Sequence, residues 1–147
     1  MNAPDGYELG DAYAKDKTGI LYRAVQTRLD RPVTLKVLRS KYVENERARA
    51  LFLEERDLAA GLEQPNILLT LDLGETDGRP WFATESTFEP RLSESLKSGE
   101  PIPELRAVNI ALGIARALHY LAMRGLVYKN VRPQNIPLPP AAARSGT

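Results

Sequence analysis

Cysteine is absent from the 147 residues, which excludes disulfides, thiolate-bound metal and thiol chemistry. Histidine occurs once, as His119; a single imidazole with no thiolate partner argues against a zinc site, and its plain reading is a helix-surface or helix-end residue. An excess of charge of either sign is also missing. The 20 basic and 19 acidic side chains leave a formal net charge of +1, so the expectation is no nucleic acid and no membrane surface as partner. No apolar run approaches the roughly 20 residues of a membrane helix, and Met1-Asn2-Ala3-Pro4-Asp5 lacks the basic-then-apolar layout of a secretory signal. Internal repeats are not found. What is present is 43% hydrophobic and 27% charged residues, the balance of a soluble globular chain, at a length suited to one domain with a core. The expected location is cytoplasmic.

The pattern along the chain reads strands, helix, strands, helix. Gly19 to Val25 and Pro32 to Leu38 are short β-rich runs with Asp30-Arg31 between them as a turn. Ile67 to Gly74 and Pro80 to Glu85 form a second pair, linked through Asp77-Gly78, a hairpin signal. Connections this short favour antiparallel pairing. From Glu46 to Leu62, apolar residues at Ala48, Leu51, Phe52, Leu58, Ala59 and Leu62 make a helical stripe. A second helix runs from Glu104 to Arg124, with Leu105, Val108, Leu112, Ala115, Leu118 and Leu121 widened by Ile110, Ile114 and Ala117, and with Gly125 as its stop. Apolar over most of its girth, that helix expects burial on several sides. Ser86 to Pro103 reads as a loop around a short helical piece near Leu92 to Leu96, and 139–147 as a disordered tail.

One charge falls where the pattern has no place for it. On a helical wheel Glu55 lies inside the apolar stripe, between Leu51/Phe52 and Leu58/Ala59. A carboxylate facing a core is costly unless paired. Lys36 is its complement: in its strand Val33, Leu35 and Val37 share one face, and Lys36 lies between Thr34 and Leu38 on the other. A sheet covered on both faces would leave Lys36 wanting an anion, and a Lys36–Glu55 pair satisfies both. The bland alternative leaves Glu55 at the stripe's edge and Lys36 reaching out to water.

Several segments then acquire a common meaning. They are Val33-Thr34-Leu35-Lys36, Phe52-Leu53-Glu54-Glu55 followed by Gln64-Pro65-Asn66-Ile67, Trp81-Phe82-Ala83-Thr84-Glu85, Leu118-His119-Tyr120-Leu121 with Gly125-Leu126-Val127, and Tyr128-Lys129-Asn130-Val131-Arg132-Pro133-Gln134-Asn135-Ile136. In this order and at this spacing the chain resembles a protein kinase of the bacterial Ser/Thr type, from about Tyr7 to Leu138. The resemblance implies an α+β fold: a kinase N-lobe over 7–85, with a roughly five-stranded antiparallel sheet and the family's αC helix. The hinge and an αE-like helix of an incomplete C-lobe would follow over 86–138. It places Lys36 as the phosphate-binding lysine, Glu55 as its glutamate partner, Thr84 as gatekeeper, and Asn135 as a ligand of the second Mg²⁺. An ATP site, vestigial here, would be made by Gly19, Leu21, Thr34, Lys36, Glu55, Thr84, Glu85 and Asn135.

Departures from the family pattern are as telling. Of the glycine-rich loop only Gly19 remains, with Ala14 and Asp16 at the earlier glycine positions. Glycines there let backbone N–H groups close on phosphates, whereas Asp16 sets a carboxylate beside them, partly offset by Lys15 and Lys17; alternatively Ala14 to Thr18 is a solvated hairpin loop. Thr34 replaces a smaller alanine. Pro137, with Pro139 and Pro140 nearby, disfavours the strand expected there. Asn130 stands at the position of the catalytic aspartate, and a neutral amide is no general base; no catalytic residue is therefore expected. Arg132 replaces a lysine. No Asp-Phe-Gly segment occurs in the 147 residues, so the expectation from the resemblance is that the aspartate that grips the metal is missing. Lys36, Glu55 and Asn135 either retain weak nucleotide binding or serve structurally, as an ion pair and a turn cap.

The expectation is a pseudokinase-like regulatory or protein-binding module that requires no cofactor, holds ATP and Mg²⁺ weakly at most, and has no metal site of its own. Its partner would be another protein or a second copy, met through the Glu104–Arg124 helix. The alternative is a fragment or subunit of an ATP-dependent Ser/Thr protein kinase.

Overall fold

The computed structural model describes residues 1–86 and 90–138; the tail expected over 139–147, with Pro139 and Pro140, lies outside them. Two compact units emerge. Among the described residues, one takes in 1–63 and 67–86, the other 64–66 and 90–138.

The first unit is a five-stranded antiparallel sheet with one helix. Its strands are β1 (Tyr7–Lys15), β2 (Gly19–Gln26), β3 (Arg31–Leu38), β4 (Thr70–Thr76) and β5 (Arg79–Glu85), in spatial order β1-β2-β3-β5-β4. The helix, α1 (Glu46–Ala60), lies between β3 and β4 in sequence and starts where the Asn45 side chain accepts the Ala48 N–H at 2.9 Å, an N-cap that satisfies one of the first turn's orphan donors. At the β4–β5 hairpin Asp77 and Gly78 both take positive φ, 52° and 70°, as a two-residue primed turn requires. The β2–β3 link turns at Asp30, with φ 48°.

Strand β3 is central and covered on both sides: every residue from Val33 to Leu38 is buried. Val33, Leu35 and Val37 pack with Tyr7, Ala24, Trp81 and Ala83. On the opposite face Leu38 packs with Phe52 and Phe82, whose ring centroids are 5.7 Å apart. Tyr7 closes the first cluster edge-on to Trp81, centroids 5.5 Å apart. Its phenol donates to Asp72 at 2.9 Å; burial, then the hydrogen bond and charge of Asp72, push its pKa up to about 12 against the pull of Arg31.

The elements differ from the sequence pattern in three places. β1 is not among the strand runs that the sequence pattern gives; its register with β2 is broken twice and only Tyr7 is buried. β4 starts at Thr70 rather than Ile67, since pairing with β5 opens at Leu69, whose backbone exchanges bonds with Glu85. The inner face of α1 is also turned from the wheel reading. Phe52 is buried, Ala48 and Ala59 are half-buried, and Leu51 and Leu58 are exposed, so Glu55 sits at the edge of the buried face, not within it.

The second unit holds α2 (Leu92–Lys97) and α3 (Glu104–Ala122). Gly125, at φ 71°, ends α3 and lets the Leu126 N–H return to the Leu121 carbonyl at 3.0 Å, a left-handed stop that only glycine adopts cheaply. Burial of α3 is one-sided. Leu121 is buried and Ile110, Ile114, Ala117 and Leu118 are half-buried, whereas Leu105, Val108 and Leu112 are exposed. Pro137 bridges Arg91 in a single antiparallel pair, flanked by Leu92 N–H to Ile136 O and Leu138 N–H to Pro90 O, so extended pairing at Pro137 is limited to this one bridge. Among the described residues no helix is long and apolar enough to cross a membrane.

Phe52 is the single buried side chain of α1, so Phe52→Ala is expected to cost about 3–5 kcal/mol of stability, read from urea unfolding. A loss below about 1 kcal/mol would show that α1 is not docked through this ring.

Candidate functional site

The register of the sheet gathers Gly19, Leu21, Thr34, Lys36 and Thr84 on one face. Lys36 lies opposite Leu21 on β2 and Phe82 on β5, while Thr34 lies opposite Thr84, and residues two apart on a strand share a face. Thr34 is buried, with its hydroxyl 3.2 Å from that of Tyr13. Gly19 lies directly under the lysine: a Cβ there would meet Lys36 Cε at 2.5 Å and Cγ at 2.9 Å.

Lys36 is the centre of this face. Its side chain is 8% exposed, and its ammonium is 2.5 Å from Glu55 Oε1 on α1 and 2.5 Å from Asp16 Oδ2 in the β1–β2 turn. The Phe52 and Phe82 rings flank it, each centroid 5.9 Å from Nζ, at the outer range of a cation–π contact. A buried ammonium is stable only when paired, and two of its three donors are spent on carboxylates. Both carboxylate side chains are 47% exposed, so the cation is inside and its anions straddle the boundary.

The Glu55 contact joins the two charges that the sequence sets against apolar patterns, although Glu55 meets Lys36 from the edge of the helix's buried face. The Asp16 contact has no such origin in the pattern. That residue was expected to face a ligand or solvent, and instead it folds back onto Lys36. A local signal was available, Asp16-Lys17-Thr18-Gly19, in which the aspartate accepts the N–H groups of Thr18 at 3.0 Å and Gly19 at 2.8 Å through Oδ1, the side-chain turn aspartate favours. Partial burial works to raise the Asp16 pKa, but the hydrogen bond and charge of Lys36 and the two backbone N–H groups outweigh it and hold the carboxyl below its usual value.

In the second unit, Pro133–Asn135 makes one 3₁₀ turn, and Asn135 Nδ2 donates to the Asn130 carbonyl at 3.0 Å. The loop that carries Asn130 is thus an ordered turn pinned by Asn135. His119 is exposed on α3. Glu85, at the end of β5, uses its carboxylate to accept the Leu69 N–H at 3.0 Å. No group of three or more His, Asp and Glu side chains among the described residues is placed to hold a metal ion.

Comparison with known proteins decides the family. The model described as "Protein kinase domain" matches residues 14–141. The chain belongs to the protein kinase family. Its relatives include the serine/threonine-protein kinase PknJ of Mycobacterium tuberculosis, 31% identical over 137 residues, 93% of this chain and 23% of that protein. PknD of the same organism is 32% identical over 130 residues, 88% and 20%, and pkn3 of Myxococcus xanthus is 34% identical over 123 residues, 83% and 22%. The chain therefore spans about a fifth of the length of the curated relatives it matches. The sheet with α1 is a kinase N-lobe, and α2 and α3 are part of a helical C-lobe.

Of the residues the kinase resemblance singles out, the structure brings Gly19, Leu21, Thr34, Lys36 and Thr84 onto one sheet face with Glu55 alongside. The kinase family implies ATP with Mg²⁺. The phosphate-binding position does not fit that ligand as it stands, because Asp16 takes the lysine and the two N–H groups a phosphate would need.

Two predictions follow from the paired ammonium. Asp16→Asn and Glu55→Gln are each expected to cost about 1 kcal/mol, since one carboxylate still neutralises Lys36, whereas the double variant costs about 3–5 kcal/mol by leaving a buried cation unpaired; additive losses in denaturant titration would refute the shared pairing. Because the Asp16 pKa is lowered on folding, its contribution is whole above the ordinary aspartate value of about 3.9. It should shrink as pH falls through that value and be gone below the folded-state value. Wild type and Asp16→Asn should therefore converge in stability in acid, as followed by thermal melts across pH.

Proposed function

We propose that this kinase-family chain is a catalytically inactive, pseudokinase-like module with a regulatory or protein-binding role. The observation that carries the reading is Asn130. The loop around it resembles the family's catalytic loop and is built, its turn tied by Asn135, yet the side chain at the position of the proton acceptor is an amide. Phosphoryl transfer to a hydroxyl needs an acceptor for the hydroxyl proton, and loss of such a group typically costs about 10²–10⁴ in rate. The carboxylates on Lys36 support the same reading from the N-lobe side, since its ammonium is already neutralised.

A binding role is supported by α3, whose Leu105, Val108 and Leu112 are exposed together. They recur at helical spacing, as an interface stripe does, and suit a protein partner or a second copy in the cytoplasm. A second reading is favoured by the Lys36–Glu55 contact, which active kinases need: a portion or subunit of an ATP-dependent Ser/Thr protein kinase, as the names of the relatives suggest.

Incubation with γ-labelled ATP, Mg²⁺ and a protein substrate should give no transfer above a Lys36→Met control. Transfer that disappears in that control would establish the second reading. For the surface, Leu105→Glu with Leu112→Glu should abolish self-association or partner capture in sedimentation while leaving the melting temperature within a few degrees; a wild-type monomer that binds no apolar dye would remove the interface.

A further inference from the structure

We propose that Asp16 is an internal ligand of an anion seat made by Lys36 Nζ and the N–H groups of Thr18 and Gly19, and that this seat accepts a phosphate group once Asp16 is displaced or replaced. The inference rests on reading Lys36 as the phosphate lysine of a kinase fold, and concerns what occupies that position.

The donor set is the argument. One ammonium and two consecutive backbone N–H groups converge on the two oxygens of a single carboxylate, Oδ2 on Lys36 at 2.5 Å and Oδ1 on Thr18 at 3.0 Å and Gly19 at 2.8 Å. Successive N–H groups in a turn beside a cation are the donor chemistry of phosphate sites. A carboxylate is a smaller anion with the same edge, two oxygens sharing negative charge. Gly19 permits the arrangement, because the lysine stem crosses its Cα where a Cβ would collide, so the ammonium and the Gly19 N–H act on one point.

Tethering explains why the seat is shut. Asp16 is two residues from one donor and three from another, so its effective concentration is at least millimolar. A free anion sees its affinity reduced by the fraction of time the seat is vacant. Asp16 left in place would also set a negative charge against an incoming phosphate. The carboxylate is 47% exposed on its outer side, so it can swing out about its own side-chain bonds. Glu55 stays on Lys36 meanwhile, so the ammonium is never left bare.

The test uses pyrophosphate without metal, titrated calorimetrically into the wild type, Asp16→Asn, and Asp16→Asn with Lys36→Met, each checked for folding by circular dichroism. Asparagine removes the charge and the hold on Lys36, and its neutral oxygen is a weaker acceptor for the Thr18 and Gly19 N–H groups, one that a phosphate can displace; Asp16→Ser, whose hydroxyl is likewise a neutral acceptor, replaces it should D16N fail to fold. The expected result is at least tenfold tighter binding in D16N than in the wild type, abolished by adding K36M. Equal affinity in wild type and D16N, or a gain that survives K36M, overturns the proposal. Phosphoryl transfer from ATP is assayed on the same samples. Tightened binding with no transfer supports both this inference and the inactive reading, whereas tightened binding with transfer supports this inference and refutes inactivity. Unchanged binding with no transfer refutes this inference alone.

Discussion

A lysine ammonium enclosed by protein on the central strand of a small sheet is the constraint around which the N-lobe is arranged. Lys36 is on β3, whose two faces are both covered, so its charge is largely withdrawn from water. Removing an ammonium from water is costly enough that the fold must bring anions to it. It brings two, from opposite directions in the chain: Glu55 ties α1 to β3, and Asp16 ties the β1–β2 turn to the same lysine. The aromatic contact between Phe52 and Phe82 beside them supplies the apolar part of the same junction. Helix, turn and strand are therefore held by one charge as much as by burial.

This arrangement has a consequence for chemistry. Here the cation is matched by carboxylates and the loop N–H groups of Thr18 and Gly19 are used internally. A polar group cannot satisfy its own neighbour and an incoming anion at once, so an anion arriving at Lys36 would compete with Asp16. In the C-lobe portion the backbone of the loop around Asn130 is shaped while its side chain lacks proton affinity.

α3 shows the opposite imbalance. Its apolar residues exceed what its own unit covers, so Leu105, Val108 and Leu112 remain on the surface. Uncovered apolar area carries a free-energy cost in water that association relieves.

Much of this was legible from residues alone. The order of strands and helices follows from periodicity, the β4–β5 turn from Asp77-Gly78, and the need of Lys36 and Glu55 for each other from charges set in apolar patterns. The inability of Asn130 to accept a proton is a property of the amide, independent of any fold. Tertiary structure alone decided the rest. β1 is a strand because β2 offers it an edge, although its own pattern is weak. The inner face of α1 is set by where Phe52 meets Phe82, which turns Leu51 and Leu58 outward. Asp16 became the second anion on Lys36 because the β2–β3 register stacks Gly19 under the lysine stem and brings the turn's carboxylate within reach of its tip. A sequence states which charges need partners; only the packed chain determines which partner arrives, because that depends on distances between segments that local propensity does not encode.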